Sequence, residues 1–293
     1  MFNVVDGQAG PVFDMITWPT WLPDGAIEYA AAKGMVSLYV DNGAPHEITG
    51  TMVGGPLPYK GHLAYEATLG NKTFAVLDGK PEPLYDSIGS IEFSPDGKHF
   101  AYSAKTGNQW QLIIDGQPGS LFDLVAPFTP YFSADSQHWA HWATSHDKRF
   151  VVMDGKPGPE FDNVGGFTRL VFSRDGKHLA YIGQKGRKSV LVVDGHEGPE
   201  TDGYISDGPN QPRNGGGFDQ LPPFFTPDTD HLVYLINQSD GKIRVCIDSE
   251  MGPVHGVLYS CPSIRSDGKL EYVASGDKMD SELYRVTISF SQQ

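Results

Sequence analysis

Short apolar runs alternate with turn residues along the whole chain. Within residues 170–193 the runs read Leu-Val-Phe-Ser, Leu-Ala-Tyr-Ile and Val-Leu-Val-Val, and segments rich in Gly, Asp and Lys separate them. The runs are apolar at successive positions, which is typical of strands in sheets that are covered on both faces. No stretch shows the 3.6-residue periodicity of an amphipathic helix. The pattern therefore predicts an all-β protein.

Two turn units repeat through the chain and interleave. The first has two apolar residues, then Asp-Gly, Gly-Pro, an aromatic residue and Asp, as in residues 152–162. The second has Ser-Pro-Asp-Gly-Lys-His before an apolar run, as in residues 94–104. Each unit occurs seven times, in some places degenerately, and the first is marked by Asp6, Asp41, Asp78, Asp115, Asp154, Asp194 and Asp248. Such repetition indicates an array of one structural unit.

Each period of about 40 residues contains four short extended stretches, as a β-propeller blade does. Seven copies predict a single domain, a seven-bladed β-propeller of four-stranded antiparallel blades. The predicted blades are residues 15–51, 52–88, 89–125, 126–164, 165–203, 204–258 and 259–290, the last together with residues 1–14. The N-terminal strands should complete the C-terminal blade and close the ring, which leaves no open sheet edge there.

One strand does not fit this count. Residues 283–288 form a surplus apolar stretch near the C-terminus. It either displaces residues 2–5 as the third strand of the last blade or adds a fifth strand. The sequence does not decide between these two arrangements.

The repeat also resembles a known family. Residues 94–104 followed by residues 112–119 look like the TolB-type, WD-like propeller repeat of bacteria. The resemblance covers essentially the whole chain and implies a propeller fold. It does not imply one function, because such repeats occur in scaffolds, in binding proteins and in propellers attached to peptidases.

Composition narrows the range of partners and compartments. With 22 Lys and Arg against 36 Asp and Glu, the net charge of −14 repels phosphate backbones and excludes nucleic acid. No window approaches the ~20 apolar residues of a membrane-spanning helix. The N-terminus has no signal-peptide pattern, so the chain as given is expected in the cytoplasm, or in the periplasm or outside the cell if a leader was removed. Cys246 and Cys261 form either one disulfide or two thiols.

One long interval points to a binding site. The spacing from Asp194 to Asp248 exceeds the period by about 14 residues, and the excess lies in residues 203–223. This segment is predicted to be a loop between blades near the mouth of the central channel, and loops of this length are usually functional or disordered. The ligand-binding residues predicted at this mouth are Trp18, Phe128, Phe167, Arg169, Asp207, Arg213 and Asp219.

The patterns of the remaining Asp and His residues favour structural roles over metal binding or catalysis. No metal site and no cofactor are predicted, because the chain lacks a D-x-D-x-D calcium loop and an Asp before Gly holds its own turn. Five histidines occupy one repeat position and are therefore expected to be structural: His62, His99, His138, His178 and His231. His141 replaces a repeated tyrosine and is the candidate catalytic base if the protein is an enzyme.

These patterns lead to one leading function and two alternatives. The leading function is a monomeric, non-enzymatic scaffold that binds a protein, peptide or glycan partner on the face carrying the inter-blade loops and residues 203–223. The first alternative is a propeller lyase, hydrolase or cyclase whose active site at the channel mouth acts on a small molecule or sugar. The second is a purely structural module of a longer exported protein.

Overall fold

The structure is a computed structural model in which every regular element is a β-strand, within the residues it describes. The described residues are 1–2, 4–5, 8–16, 19–21, 25, 27–33, 36–41, 43–47, 50–126, 130–162, 170–205, 211–212, 218–220, 222–227, 231–276 and 282–290. The predicted all-β class is therefore confirmed. No helix in this part of the chain has the length and apolar character needed to cross a lipid bilayer.

The chain divides into two compact units. The first contains Met1–Pro130 and His141–Ser145, and the second contains Tyr131–Ala140 and His146–Gln293, so the division passes through one strand. The domain organisation proposed from the sequence, a single seven-bladed ring closed by its N-terminus, stays a prediction.

The first unit contains a short hairpin, three complete sheets and part of a fourth. The hairpin pairs β1 (Val4–Val5) with β2 (Gln8–Ala9). Sheet 1 contains β3 (Met15–Ile16), β4 (Thr20–Trp21), β5 (Ile27–Lys33), β6 (Val36–Asp41) and β7 (Ala44–Glu47). Sheet 2 contains β8 (Thr51–Tyr59), β9 (His62–Leu69), β10 (Lys72–Leu77) and β11 (Lys80–Pro81). Sheet 3 contains β12 (Ser87–Phe93), β13 (Phe100–Thr106), β14 (Gln109–Ile114) and β15 (Gln117–Pro118), and sheet 4 begins with β16 (Leu124–Val125).

The second unit continues sheet 4 and adds three more sheets. Sheet 4 continues with β17 (Tyr131–Phe132), β18 (Trp139–Ser145), β19 (Lys148–Met153) and β20 (Lys156–Pro157), and residues 141–145 of β18 belong to the first unit. Sheet 5 contains β21 (Val171–Phe172), β22 (Leu179–Lys185), β23 (Lys188–Val193) and β24 (His196–Thr201). Sheet 6 contains β25 (Tyr204–Ile205), β28 (Phe224–Phe225), β29 (Leu232–Asn237), β30 (Ile243–Ile247) and β31 (Glu250–His255), and a small hairpin pairs β26 (Gln211–Pro212) with β27 (Phe218–Gln220). Sheet 7 contains β32 (Ser263–Ile264), β33 (Leu270–Ser275) and β34 (Leu283–Ile288).

Sheets 1 to 6 share one strand order. In sheets 1 to 6 the strands lie side by side in chain order and are antiparallel, with two short segments sharing the first position in sheets 1, 4 and 6. This four-stranded antiparallel meander is the blade of a β-propeller. The fold is therefore a β-propeller, as the repeat predicted.

Sheet 7 settles the placement of the surplus strand. β34 pairs with β33 in antiparallel register from Leu270↔Ile288 to Ser275↔Leu283. It thus takes the third position of its sheet, the first of the two arrangements that the sequence left open. β1 pairs with β2 in a separate two-stranded sheet.

The Asp-Gly units form the turns between third and fourth strands. Asp78 and Gly79 connect β10 to β11 with φ values of 49° and 74°. Positive φ at both central residues defines a type I′ turn, whose twist matches that of the two strands it joins. The corresponding aspartates Asp115, Asp154, Asp194 and Asp248 have φ between 47° and 53°. The geometry of this turn therefore explains why Asp recurs at this position of the repeat.

The second strand of each sheet carries one deeply buried ring. A tyrosine occupies this position in six sheets of the described chain and is at most 6% exposed: Tyr29, Tyr65, Tyr102, Tyr181, Tyr234 and Tyr272. In sheet 4 the position holds His141, which is 2% exposed. Some of these rings lie in a core shared by two neighbouring sheets, as Tyr102 does with sheets 2 and 3 and Tyr272 with sheets 6 and 7.

Proline marks the outer edges of the sheets. The fourth strand of each of sheets 1 to 6 contains at least one proline, at Pro45, Pro81, Pro118, Pro157, Pro199 and Pro253. Proline has no backbone N–H to donate, so it is confined to edge strands and weakens them as templates for further strands. β34 holds the third position of sheet 7 and has none, as the third strands of sheets 1 to 6 have none.

Candidate functional site

Most of the predicted ligand-binding residues lie outside the described residues. This holds for Trp18, Phe128, Phe167, Arg169, Asp207 and Arg213. The exception is Asp219, whose backbone lies in β27. Their role as a site stays a prediction.

The topology nevertheless corrects where the insertion belongs. Tyr204↔Asn237 and Phe225↔Leu232 both join the first-strand segments of sheet 6 to β29. Residues 206–223 therefore interrupt the first strand of sheet 6, whereas the sequence predicted a loop between blades. The pairing arises because Ile205 and Phe225 are apolar residues that pack into the cluster around Leu232 and Ile236.

Five of the seven predicted site residues lie in the sequence between two segments that share the first position of one sheet. Residues 17–19, which include Trp18, separate β3 from β4, and residues 126–130, which include Phe128, separate β16 from β17. Asp207, Arg213 and Asp219 all belong to the interval between β25 and β28. Three of the sheets thus have a break in the same strand, and five of the seven predicted residues fall in those breaks. Phe167 and Arg169 do not, because they precede β21 of sheet 5 in the sequence.

His141 is buried. Its ring lies 6.0 Å from the ring of Phe122 in an edge-to-face arrangement. Burial lowers the pKa of His141 from its ordinary 6.5 to about 3, because a charged imidazolium would lose its hydration. A general base must reach its substrate and titrate near the working pH. The geometry therefore favours packing over catalysis for this residue.

The repeated histidines and aspartates form a structural brace. In sheet 3, His99 Nδ1 donates to Asp115 Oδ2 at 2.7 Å, and the Phe100 N–H donates to Asp115 Oδ1 at 2.9 Å. The same two bonds recur at His62 with Asp78, His138 with Asp154, His178 with Asp194 and His231 with Asp248. Each aspartate therefore ties the third-to-fourth turn to the second strand, whereas the sequence predicted that its side chain would bond within its own turn.

We expect the brace to matter for stability more than for binding. Replacing Asp115 with alanine removes two hydrogen bonds and leaves at positive φ a residue that tolerates this conformation less well than aspartate, so the free energy of unfolding should fall by about 2 kcal/mol. Asparagine tolerates positive φ and keeps an acceptor, so Asp115→Asn should cost about half as much. Urea unfolding of both variants measures this, and equal losses would contradict the account.

Among the described residues, the cysteines and the carboxylates form neither a disulfide nor a metal-binding cluster. Cys246 and Cys261, both among the described residues, are not joined by a disulfide. Burial raises the pKa of the Cys246 thiol, which makes the reactive thiolate less accessible. Within the part of the chain that the structure describes, no cluster of three or more His, Cys, Asp or Glu residues is arranged to hold a metal ion.

A cleft of about 490 Å³ lies between sheets 5 and 6, both in the second unit. Its apolar lining includes Leu191 and Val193 from sheet 5 and Phe225, Tyr234 and Met251 from sheet 6. Three carboxylates also line it, those of Asp194, Glu197 and Asp248. The volume lies within the range of small-molecule and peptide side-chain pockets.

Sequence reasoning missed this cleft. Its residues come from two neighbouring repeats, and each repeat position taken alone reads as core or turn. One usable signal was Thr201, which lines the cleft where other repeats carry a ring. The corresponding rings pack edge-to-face on the second strand of the next sheet, as Tyr85 on Tyr102, Phe122 on His141 and Phe161 on Tyr181.

No protein-family model matches the chain, and no curated protein matches it. Among solved structures, it is similar to TolB from Acinetobacter baumannii, with 19% identity, 64% of this chain and 56% of that chain covered, and a TM-score of 0.32. It is also similar to the β-propeller domain of Cps50 (Swd1) from Myceliophteria thermophila, with 12% identity, 78% and 82% covered, and a TM-score of 0.33. A third is the β-propeller domain of the Trilobed protease from Pyrococcus furiosus, with 11% identity, 93% of each chain covered, and a TM-score of 0.37. The chain thus spans just over half of the TolB structure, and the fold rests on the strand order described above.

Proposed function

We propose that this protein is a monomeric, non-enzymatic propeller scaffold of the TolB-type repeat class that binds a protein, peptide or glycan partner. The partner binds on the face that carries residues 203–223, at the breaks in the first strands. The observation that carries the proposal is the interruption of the first strand of sheet 6 by residues 206–223. The blades of a propeller surround a central channel, and residues 203–223 are predicted to lie near its mouth.

Two further features support this function. The insertion contains its own hairpin, in which Gln211 pairs with Gln220 and Pro212 with Phe218. Loops of this length are usually either functional or disordered, and internal strand pairing argues against disorder. The repeated histidines and aspartates are engaged in the brace, and His141 is buried, so these residues serve the fold.

The proline-containing outer strands support the monomer. Sheet edges pair with other copies when they offer a regular row of N–H and C=O groups. Sedimentation of the purified chain should therefore give the mass of one chain, 32.0 kDa.

A selection experiment tests the binding function. The full chain is immobilised and exposed to a random peptide library on phage and to a glycan array. Ligands selected by the unaltered chain should bind about tenfold more weakly to a variant in which a short Gly-Ser linker replaces residues 207–222. The matched control is Leu121→Lys, a change at a 50% exposed residue outside both the insertion and the cleft, which should retain binding. Equal binding to the linker variant would refute the proposed site.

A further inference from the structure

The cleft between sheets 5 and 6 combines an apolar floor with three carboxylates. Its floor is apolar, with Leu191, Leu232 and Tyr234 each less than 9% exposed. At its rim Met251 is 53% exposed, so apolar surface is offered to solvent there. Apolar surface that a partner covers contributes to binding in proportion to its area.

The three carboxylates each have exposed surface that a further cation can contact. The side chains of Asp194, Glu197 and Asp248 are between 32% and 43% exposed. In the brace, Asp194 and Asp248 each accept two hydrogen bonds, whereas a carboxylate has about four acceptor sites. Glu197 pairs with Lys185, which is not among the lining residues. In the described part of the chain no Lys or Arg lines the cleft, and the basic side chains there are His178, which is the brace partner of Asp194, and His196.

The neighbouring groove provides an internal comparison. A groove of about 570 Å³ between sheets 4 and 5 is lined by Asp154, Asp194 and Lys156 at corresponding places. Two residues after the turn aspartate, Lys156 there corresponds to His196 in the cleft, and the next residue changes from Pro157 to Glu197. The groove therefore has two aspartates and a lysine, whereas the cleft has three carboxylates. The cleft is the more acidic of two otherwise similar places.

We propose that the cleft between sheets 5 and 6 binds an extended segment of a partner protein in which an apolar side chain is flanked by Lys or Arg. The apolar side chain covers the floor between Val193 and Tyr234. The flanking cation lies against the carboxylates of Asp194, Glu197 and Asp248. This site is distinct from the insertion in the first strand, so it goes beyond the proposed scaffold function.

Short peptides test the chemistry directly. The probes are three capped tripeptides, Lys-Phe-Lys, Lys-Gly-Lys and Glu-Phe-Glu, titrated into the full chain with selectively labelled Met and Ile methyl groups. Lys-Phe-Lys should shift the Met251 and Ile205 methyl resonances saturably, with a dissociation constant on the order of 1 mM. The other two peptides should bind at least about fivefold more weakly, and added salt should weaken Lys-Phe-Lys.

A charge variant and its matched control test the site. Met251→Lys places a cation at the exposed rim and should weaken Lys-Phe-Lys about tenfold through like-charge repulsion. Leu121→Lys makes the same change at a residue that is 50% exposed outside the cleft, and its affinity should stay unchanged. The proposal is wrong if Lys-Phe-Lys shows no saturable shift, if Glu-Phe-Glu or Lys-Gly-Lys binds equally, or if both lysine variants behave alike. None of these outcomes depends on the linker variant of residues 207–222.

Discussion

Replacing His141 with tyrosine should make the protein markedly less sensitive to mild acid. In the folded chain burial lowers the pKa of His141 to about 3, whereas an unfolded chain returns it to its ordinary 6.5. The unfolded state therefore binds a proton below pH 6.5 that the folded state does not bind until about pH 3. As the pH is lowered between these values, His141 alone decreases the free energy of unfolding by about 1.4 kcal/mol for each pH unit.

Tyrosine suits the site because Tyr102 and Tyr181 occupy the corresponding positions and make the same edge-to-face contact. The measurement is urea unfolding at several pH values between 7 and 4.5. The difference in stability between His141→Tyr and the unaltered chain should grow by about 3 kcal/mol over this range. This difference cancels the contributions of other groups, such as buried His255, whose pKa is also lowered by burial.

An exposed histidine provides the control. His196→Tyr should follow the pH dependence of the unaltered chain, because this side chain is in contact with solvent. If the stability of His141→Tyr also had the pH dependence of the unaltered chain, the imidazole of His141 would have to be protonated in the folded state. The assignment of His141 to the dry core would then be wrong.

The second large effect concerns Phe161 and Gly183. The Phe161 side chain is 1% exposed, and a β-carbon added at Gly183 would come within 2.4 Å of its ring. Gly183→Ala should therefore lower the free energy of unfolding by about 2 kcal/mol through overpacking. Phe161→Thr should lower it by about 3 kcal/mol, because a buried ring is lost.

Combining two such changes should recover stability. In the next pair of sheets the corresponding residues are Thr201 and Ile236, a small residue on the fourth strand and a large one on the second. The double variant Phe161→Thr with Gly183→Ile copies that pair. It should be more stable than the sum of the single changes by about 2 kcal/mol.

A double-mutant cycle by urea unfolding measures this coupling. A matched cycle of Phe161→Thr with Ser189→Ala, in which Ser189 belongs to another strand of sheet 5, should be close to additive. Additive losses in the Phe161 and Gly183 cycle would show that the ring and the glycine are not packed against each other.

The repeat made the blades predictable. Asp-Gly at Asp78 and Gly79 specifies a type I′ turn by local backbone sterics, so the hairpin could be inferred without tertiary information. The buried position of Tyr102 and its counterparts follows from apolar runs of fixed length. Local rules and global fold agree at these positions, which is why the sequence pattern was sufficient.

The break in the first strand and the cleft could not be inferred in this way. Tyr204-Ile205 is too short to read as a strand, and it becomes one only because β29 offers Ile236 and Asn237 as partners. The cleft depends on which residues of two repeats face each other, as Val193 and Tyr234 do. Sequence periodicity describes each repeat alone and contains no information about that pairing.

The prolines of the outer strands have a consequence for how such a chain can grow. Because Pro81, Pro118, Pro157 and their counterparts lie inside the repeated unit, every duplication of the unit also duplicates its protected edge. A gene encoding this fold can therefore gain or lose a repeat without a separate change to guard the new margin against intermolecular strand pairing.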